Sequence, residues 1–203
     1  MKRRGFLKFS SLAAGGALMR SKVAAAHLLA FEPSRREVAL DVETTGLDPG
    51  LGHRIVTLSA MEIIDGQITG GGIFYCLDPE RDIDAGAFAA HGQMRVFLTG
   101  RPKFSEIPDE LTRFIGDATL VIHNASFDLC FLDSEFERLG RKPVFRSWLR
   151  VVDTLALARS KGLSRVDFPH LCARYGIPYD PRQFRTVEAV ARVYLAMTGS
   201  PAL

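Results

Sequence analysis

Asp65-Gly66 is the feature that most restricts what this chain can fold into. It separates two apolar, β-rich runs, Arg54 to Ile64 and Gln67 to Leu77, by only two residues. An Asp-Gly pair in that position closes an antiparallel hairpin, because both places in such a turn demand positive φ. A third run, Glu37 to Val42, comes first and leads into Thr45-Gly46-Leu47-Asp48-Pro49-Gly50, a turn by composition. The ordered part of the chain is therefore expected to open as a three-stranded antiparallel meander.

Beyond the meander the apolar period lengthens. Phe104 to Ile115 sets Ile107, Leu111, Phe114 and Ile115 on one helical face, and Pro108 is tolerated because it falls in the first turns. Ala118 to His123 is a short apolar strand, and Ser126 to Leu139 is an amphipathic helix ending at Gly140. Val152 to Ser160, Phe168 to Tyr175 and Val187 to Met197 read as further helices. Strands first, then a strand set between helices, predicts an α/β domain with a mixed sheet and helices on both faces. The chain has 203 residues, 47% of them hydrophobic, enough for one core and not for two.

The first thirty residues differ in kind. Lys2-Arg3-Arg4-Gly5-Phe6-Leu7-Lys8 is a twin-arginine pattern, followed by a modestly apolar run from Phe9 to Met19 and by Ala24-Ala25-Ala26, small residues that suit a cleavage site. Residues 1–30 thus read either as a Tat-type leader or as a flexible basic extension. The apolar run is too short to span a bilayer as a stable helix, so no membrane anchor is expected. A net charge of +3 permits a polyanionic partner without requiring one. Cys76, Cys130 and Cys172, odd in number and lacking metal-site spacing, read as buried reduced thiols.

Chemistry concentrates in two segments. In Leu40-Asp41-Val42-Glu43-Thr44-Thr45-Gly46, strand alternation points Asp41 and Glu43 to one side while Leu40 and Val42 face the core. Two like charges so placed repel, and a hard divalent cation with oxygen ligands is the natural occupant between them; the plainer alternative is a strand end carrying two solvated acids. In Val121-Ile122-His123-Asn124-Ala125-Ser126-Phe127-Asp128, a buried strand runs into a helix with Asp128 near its start. Asp128 is there either a partner of the helix dipole or a third acid at the same sheet edge.

Five segments, in order, resemble the epsilon proofreading subunits of bacterial DNA polymerase III. They are Asp41-Val42-Glu43-Thr44-Thr45-Gly46, His123-Asn124-Ala125-Ser126-Phe127-Asp128, Val152-Asp153-Thr154-Leu155-Ala156, Leu171-Cys172-Ala173-Arg174-Tyr175 and Val193-Tyr194-Leu195-Ala196-Met197-Thr198-Gly199. That family belongs to the DEDD exonucleases, with a ribonuclease-H-like fold, and the resemblance covers residues 36–200. It implies a 3′–5′ exonuclease that hydrolyses the 3′-terminal phosphodiester with two Mg2+ or Mn2+ ions, held by Asp41, Glu43 and Asp128. Thr44 and Thr45 would then offer backbone and hydroxyl donors to the terminal nucleotide. His91 would stand in a loop near the substrate strand, where the plainer alternative is a solvated surface residue. Phe88 and Phe127 are either base-stacking platforms or core. The implied partners are single-stranded or frayed DNA 3′ ends, or RNA. The resemblance implies a cytoplasmic protein, and a genuine twin-arginine leader a periplasmic one.

The family's third motif, a histidine followed five residues later by an aspartate at the start of the last helix, is missing. With Val193-Tyr194-Leu195 as anchor, Thr186 falls where the aspartate belongs, and Thr57 stands in place of the family's second-strand acid. Losing a general base costs about 10²- to 10⁴-fold in rate. The alternative is therefore a chain that binds nucleic-acid ends or a protein partner without cleaving. Glu188 and Asp180 are local carboxylates that would serve as substitutes, and His170 reads as a partly buried structural histidine. The family's C-terminal tail, which engages the polymerase subunit, has no counterpart after Pro201-Ala202-Leu203, so neither a polymerase nor a sliding-clamp partner is expected.

Overall fold

The computed structural model describes residues 34–142, 150–182 and 186–199. The chain divides after Ser34, and the architecture below is that of the unit beginning at Arg35. The leader read at residues 1–30 lies outside the described residues.

The meander forms as the hairpin signal requires. Strands β1 (Arg36–Thr44), β2 (Ile55–Ile64) and β3 (Gln67–Cys76) pair antiparallel in sequence order. Asp65 and Gly66 carry φ of 50° and 79°, the two positive values that such a linker needs. Two further strands, β4 (Thr119–Ile122) and β5 (Val151–Asp153), join in parallel on the other side of β1, giving the order β3-β2-β1-β4-β5. The central strand is buried on both faces, and its contiguous apolar run Val38-Ala39-Leu40 suits that position.

Helices α1 (Ala85–His91) and α2 (Arg95–Leu98) follow the meander, then α3 (Pro108–Ile115), α4 (Ala125–Arg138), α5 (Thr154–Ser160), α6 (Phe168–Arg174) and α7 (Thr186–Thr198). Neither of the first two is read from the sequence: α1, Ala85-Gly86-Ala87-Phe88-Ala89-Ala90-His91, has one large apolar residue to mark a period, and α2 is a single turn. On one face of the sheet, Val38, Leu40 and Val42 pack with Leu111 and Ile115 of α3 and Phe131 and Phe136 of α4. On the other, Ala39 and Val121 pack with Leu171 and Cys172 of α6 and Val190 and Val193 of α7. The mixed sheet with helices on both faces is thus as the sequence predicts.

Three expectations need correcting. The helix read from Phe104 to Ile115 begins only at Pro108, where the proline's missing N–H costs nothing in the first turn, and Phe104–Glu106 is a separate 3-10 turn. The helix read from Val152 to Ser160 is split: Val151–Asp153 is β5, with Val151 paired to Leu120, and α5 begins only at Thr154. Asp153 makes the break by capping α5, its Oδ1 accepting the Leu155 N–H at 2.8 Å. Cys130 is exposed on α4 rather than buried, whereas Cys172 is buried and Cys76 half-buried; all three are free thiols. Among the described residues, no helix is long and apolar enough to cross a membrane.

Candidate active site

The site arises because β1 outruns its parallel neighbour. Pairing with β4 ends at Ala39↔Val121, so the N–H of Val42 finds no strand partner on that side. The Asp128 carboxylate takes its place, with Oδ1 accepting the Val42 N–H at 3.0 Å. Asp128 reaches it from the first turn of α4 and is 4% exposed. The sharp exit from β4 into α4 is made at Asn124, whose φ of 62° is one that asparagine tolerates. Asn124 in turn donates its N–H to Asp153 Oδ1 at 3.0 Å, so β5 braces the turn that presents Asp128.

Asp41 and Glu43 project from the face of β1 opposite the Val42 side chain. They line one pocket with Thr57 and Ser59, their cross-strand partners on β2, and with His91, Arg182 and Thr186. Burial pushes the Asp41 carboxyl up to about 7. Burial, and then the charge of Asp41, pushes Glu43 up to about 8. Asp128 is raised well above the carboxylate range by burial and by Asp41, partly offset by the Val42 N–H. Tyr179, packed edge-on against Phe168, feels the same acids: burial first, then Asp41 and Glu43, raise its phenol to about 12.

The turn after the acids is held from within. Thr44 Oγ1 donates to the Gly46 carbonyl at 2.6 Å. Thr45 Oγ1 accepts the Arg54 N–H at 3.0 Å and bonds His53 Nδ1 at 3.0 Å, while its own N–H donates to the Arg54 carbonyl at 2.8 Å. Both hydroxyls expected to face a nucleotide are therefore engaged in shaping the turn. Arg54 is fastened in turn by Glu135 of α4 through two bonds of 2.7 and 2.8 Å.

His91 is the last residue of α1 and is buried, not a solvated loop residue. Gln93 N–H donates to its Nδ1 at 3.1 Å, which leaves the proton on Nε2, donated to the Thr44 carbonyl at 3.0 Å. Burial pushes its pKa down, so the ring is a neutral clamp on the acid-bearing turn. Phe127 packs on Phe131 against the core, and Phe88 remains exposed.

The last-helix side of the pocket is Arg182 and Thr186. The suggested substitutes do not line it: Glu188 pairs with Arg192 at 2.9 Å, and Asp180 accepts the Arg182 N–H at 2.9 Å. His170 is half-buried and bonded to Asp167, a structural arrangement. Sequence reading did not single out Ser59, Gln93, Tyr179 or Arg182 as site residues. Ser59 follows from the β1–β2 register, in which it faces Asp41, and the others from loop paths; neither carries a local sequence signal.

Among the described residues, no three His, Cys, Asp or Glu side chains stand at metal-ligating spacing. Asp41 and Glu43 do share a pocket, and Asp128 is turned onto Val42 beside them. This all-oxygen set does not suit a closed protein cage. It fits a hard cation such as Mg2+, which keeps much of its own water and takes one or two carboxylates.

Residues 38–183 match the protein family described as Exonuclease. The DNA polymerase III subunit epsilon of Rickettsia prowazekii is 39% identical over 172 residues, covering 82% of this chain and 75% of the relative. That of Escherichia coli is 40% identical over 174 residues, covering 81% and 72%. A product-bound exonuclease I structure superposes with a TM-score of 0.71 at 16% identity, over 82% of this chain and 44% of that one. The chain thus spans less than half of that solved protein, and the likeness there is one of fold.

Proposed function

This chain belongs to the exonuclease family, and on that footing we propose that its acid pocket hydrolyses the 3′-terminal phosphodiester of a DNA strand, releasing one nucleotide at a time. It is a 3′–5′ exonuclease domain of the epsilon type. The observation that carries the reading is the pairing of Asp41 with Glu43 in one pocket at the end of the central strand, both carboxyls raised by burial and Glu43 further by the charge of Asp41. Such a pair is costly to bury unless a cation shares the pocket.

Asp41 and Glu43 would hold the divalent ion, Mg2+ or Mn2+, with Asp128 beside them. The bound ion would supply the positive charge that activates water and stabilises the departing 3′ oxygen. The last helix brings Thr186 and no carboxylate to the pocket, which favours one tightly held ion over two. Arg182, exposed at the rim, offers a guanidinium to the phosphate of the terminal nucleotide. His91 and the two threonines keep the acid-bearing turn in place. The partner is a single-stranded or frayed 3′ end.

One observation favours a second reading, end binding without cleavage: among the described residues, the imidazole that lines the pocket is His91, and both its ring nitrogens are engaged. A 3′-labelled single strand incubated with Mg2+ or Mn2+ separates the two. Release of mononucleotides that is lost in Asp41→Ala supports the exonuclease, and binding without release supports the second reading.

A further inference from the structure

Among the described residues, the buried hydroxyls around the site are satisfied, with Thr57 the exception. Thr44, Thr45 and Thr154 each bond through Oγ1. Thr57 does not: it is 4% exposed, and its Oγ1 has no hydrogen-bond partner. A buried hydroxyl left without a partner destabilises a fold, so such a group calls for an explanation. Thr57 sits opposite Glu43 in the β1–β2 register and lines the acid pocket. The pocket it faces encloses about 20 Å3 and opens to solvent, so an occupant there stays in contact with water.

We propose that Thr57 is a positioning residue for the ion site, its Oγ1 accepting a hydrogen bond from a water of hydration of the divalent cation that Asp41 and Glu43 hold. The inference rests on reading the pocket as that ion's site. Its physical logic is that of outer ligands generally: a hydrated cation held by only two carboxylates is oriented by what its waters bond to, and here the unpaired acceptor stands in the wall beside Glu43. Ser59, the neighbouring hydroxyl on β2, is already in contact with the Asp41 carbonyl at 3.4 Å, so of the two β2 hydroxyls in the wall Thr57 is the one left to meet the occupant. A valine at this position would keep the β-branched shape that packs in the strand and lose only the hydroxyl.

The test measures Mn2+ binding to the full chain by calorimetry, alongside the melting temperature of ion-free protein. Thr57→Val should melt higher than wild type without the ion, because an unpaired buried hydroxyl is gone, and should bind Mn2+ roughly 10-fold more weakly. Thr57→Ser, which restores the hydroxyl, should bind within about twofold of wild type. Wild-type affinity in Thr57→Val overturns the inference, as does weakened binding that Thr57→Ser fails to restore. Should the valine variant not fold, Thr57→Ala takes its place with the same expectation for Mn2+ binding, read against Thr57→Ser. Asp41→Ala separates this inference from the reading beneath it. If that variant loses Mn2+ while Thr57→Val keeps it, only the role of Thr57 falls. If Asp41→Ala also binds as wild type does, or wild type takes up no Mn2+, the pocket is not the ion's site and both fall.

Discussion

Asp128 Oδ1 and the backbone N–H of Val42 are joined at 3.0 Å, although the two residues lie 86 positions apart. One oxygen of a buried acid thus serves as the missing strand partner of β1, and the same bond holds the carboxylate beside Asp41 and Glu43.

Separating these two tasks is straightforward. Asp128→Ala leaves the Val42 N–H buried and unpaired and should lower stability by about 1–3 kcal/mol. Asp128→Asn can still accept that bond and sheds a like charge, so urea denaturation of ion-free protein should find it at least as stable as wild type. Both variants should lose nuclease activity, since neither supplies the carboxylate charge.

Acid stability should run against the usual direction. The Asp41 and Glu43 carboxyls are raised to about 7 and about 8, so the folded chain holds their protons more tightly than the unfolded chain does. Their contribution to stability is present below the ordinary carboxylate range and is lost as pH rises through 7 to 8. The melting temperature of ion-free protein should therefore fall between about pH 5 and pH 8. Adding Mg2+ or Mn2+ should restore it at the upper end, where both carboxylates are free to bind. A melting curve indifferent to pH and to the ion would contradict the burial of this pair.

Gly46 is required by its neighbour. A Cβ there would lie 2.3 Å from the His53 ring, which is bonded to Thr45 Oγ1 at 3.0 Å. Gly46→Ala must displace the ring and with it the turn after the acids. The expected loss is about 1–3 kcal/mol, seen by thermal melting, together with weaker Mn2+ uptake.

Arg182 should matter for substrate and not for the fold. It is exposed, and it lines the pocket from the far side. Arg182→Ala should leave stability within about 0.5 kcal/mol of wild type. Steady-state assays on a single-stranded oligonucleotide should show a raised KM, and the salt dependence of binding should become shallower as one phosphate contact is lost.

Much of the fold was legible because its signals are local. Asp65-Gly66 sits between two strand-like runs, and Gly140 ends α4, where the chain turns through a φ of 69°. The unread parts have equally plain reasons. β5 is three residues long and flows directly into α5, so no period of two can be distinguished from the helix that follows. For His91 the chain offered a histidine before a glycine; its burial follows from the Thr44 carbonyl and the Gln93 N–H closing on its two nitrogens.

By itself the sequence determined that two carboxylates leave one strand on the same side, because alternation along an extended backbone admits no other outcome. It also pointed to an antiparallel meander of β1, β2 and β3, within which the folded register then set Glu43 opposite Thr57 and Asp41 opposite Ser59. Only the tertiary structure decided what completes the pocket. Asp128 arrives from a helix whose start depends on how far β4 runs beside β1, and Arg182 and Thr186 are brought to the pocket by α6 and α7 packing on the face of the sheet that carries Ala39. Those placements are set by packing between distant segments, and a pattern read within a few residues contains no record of them.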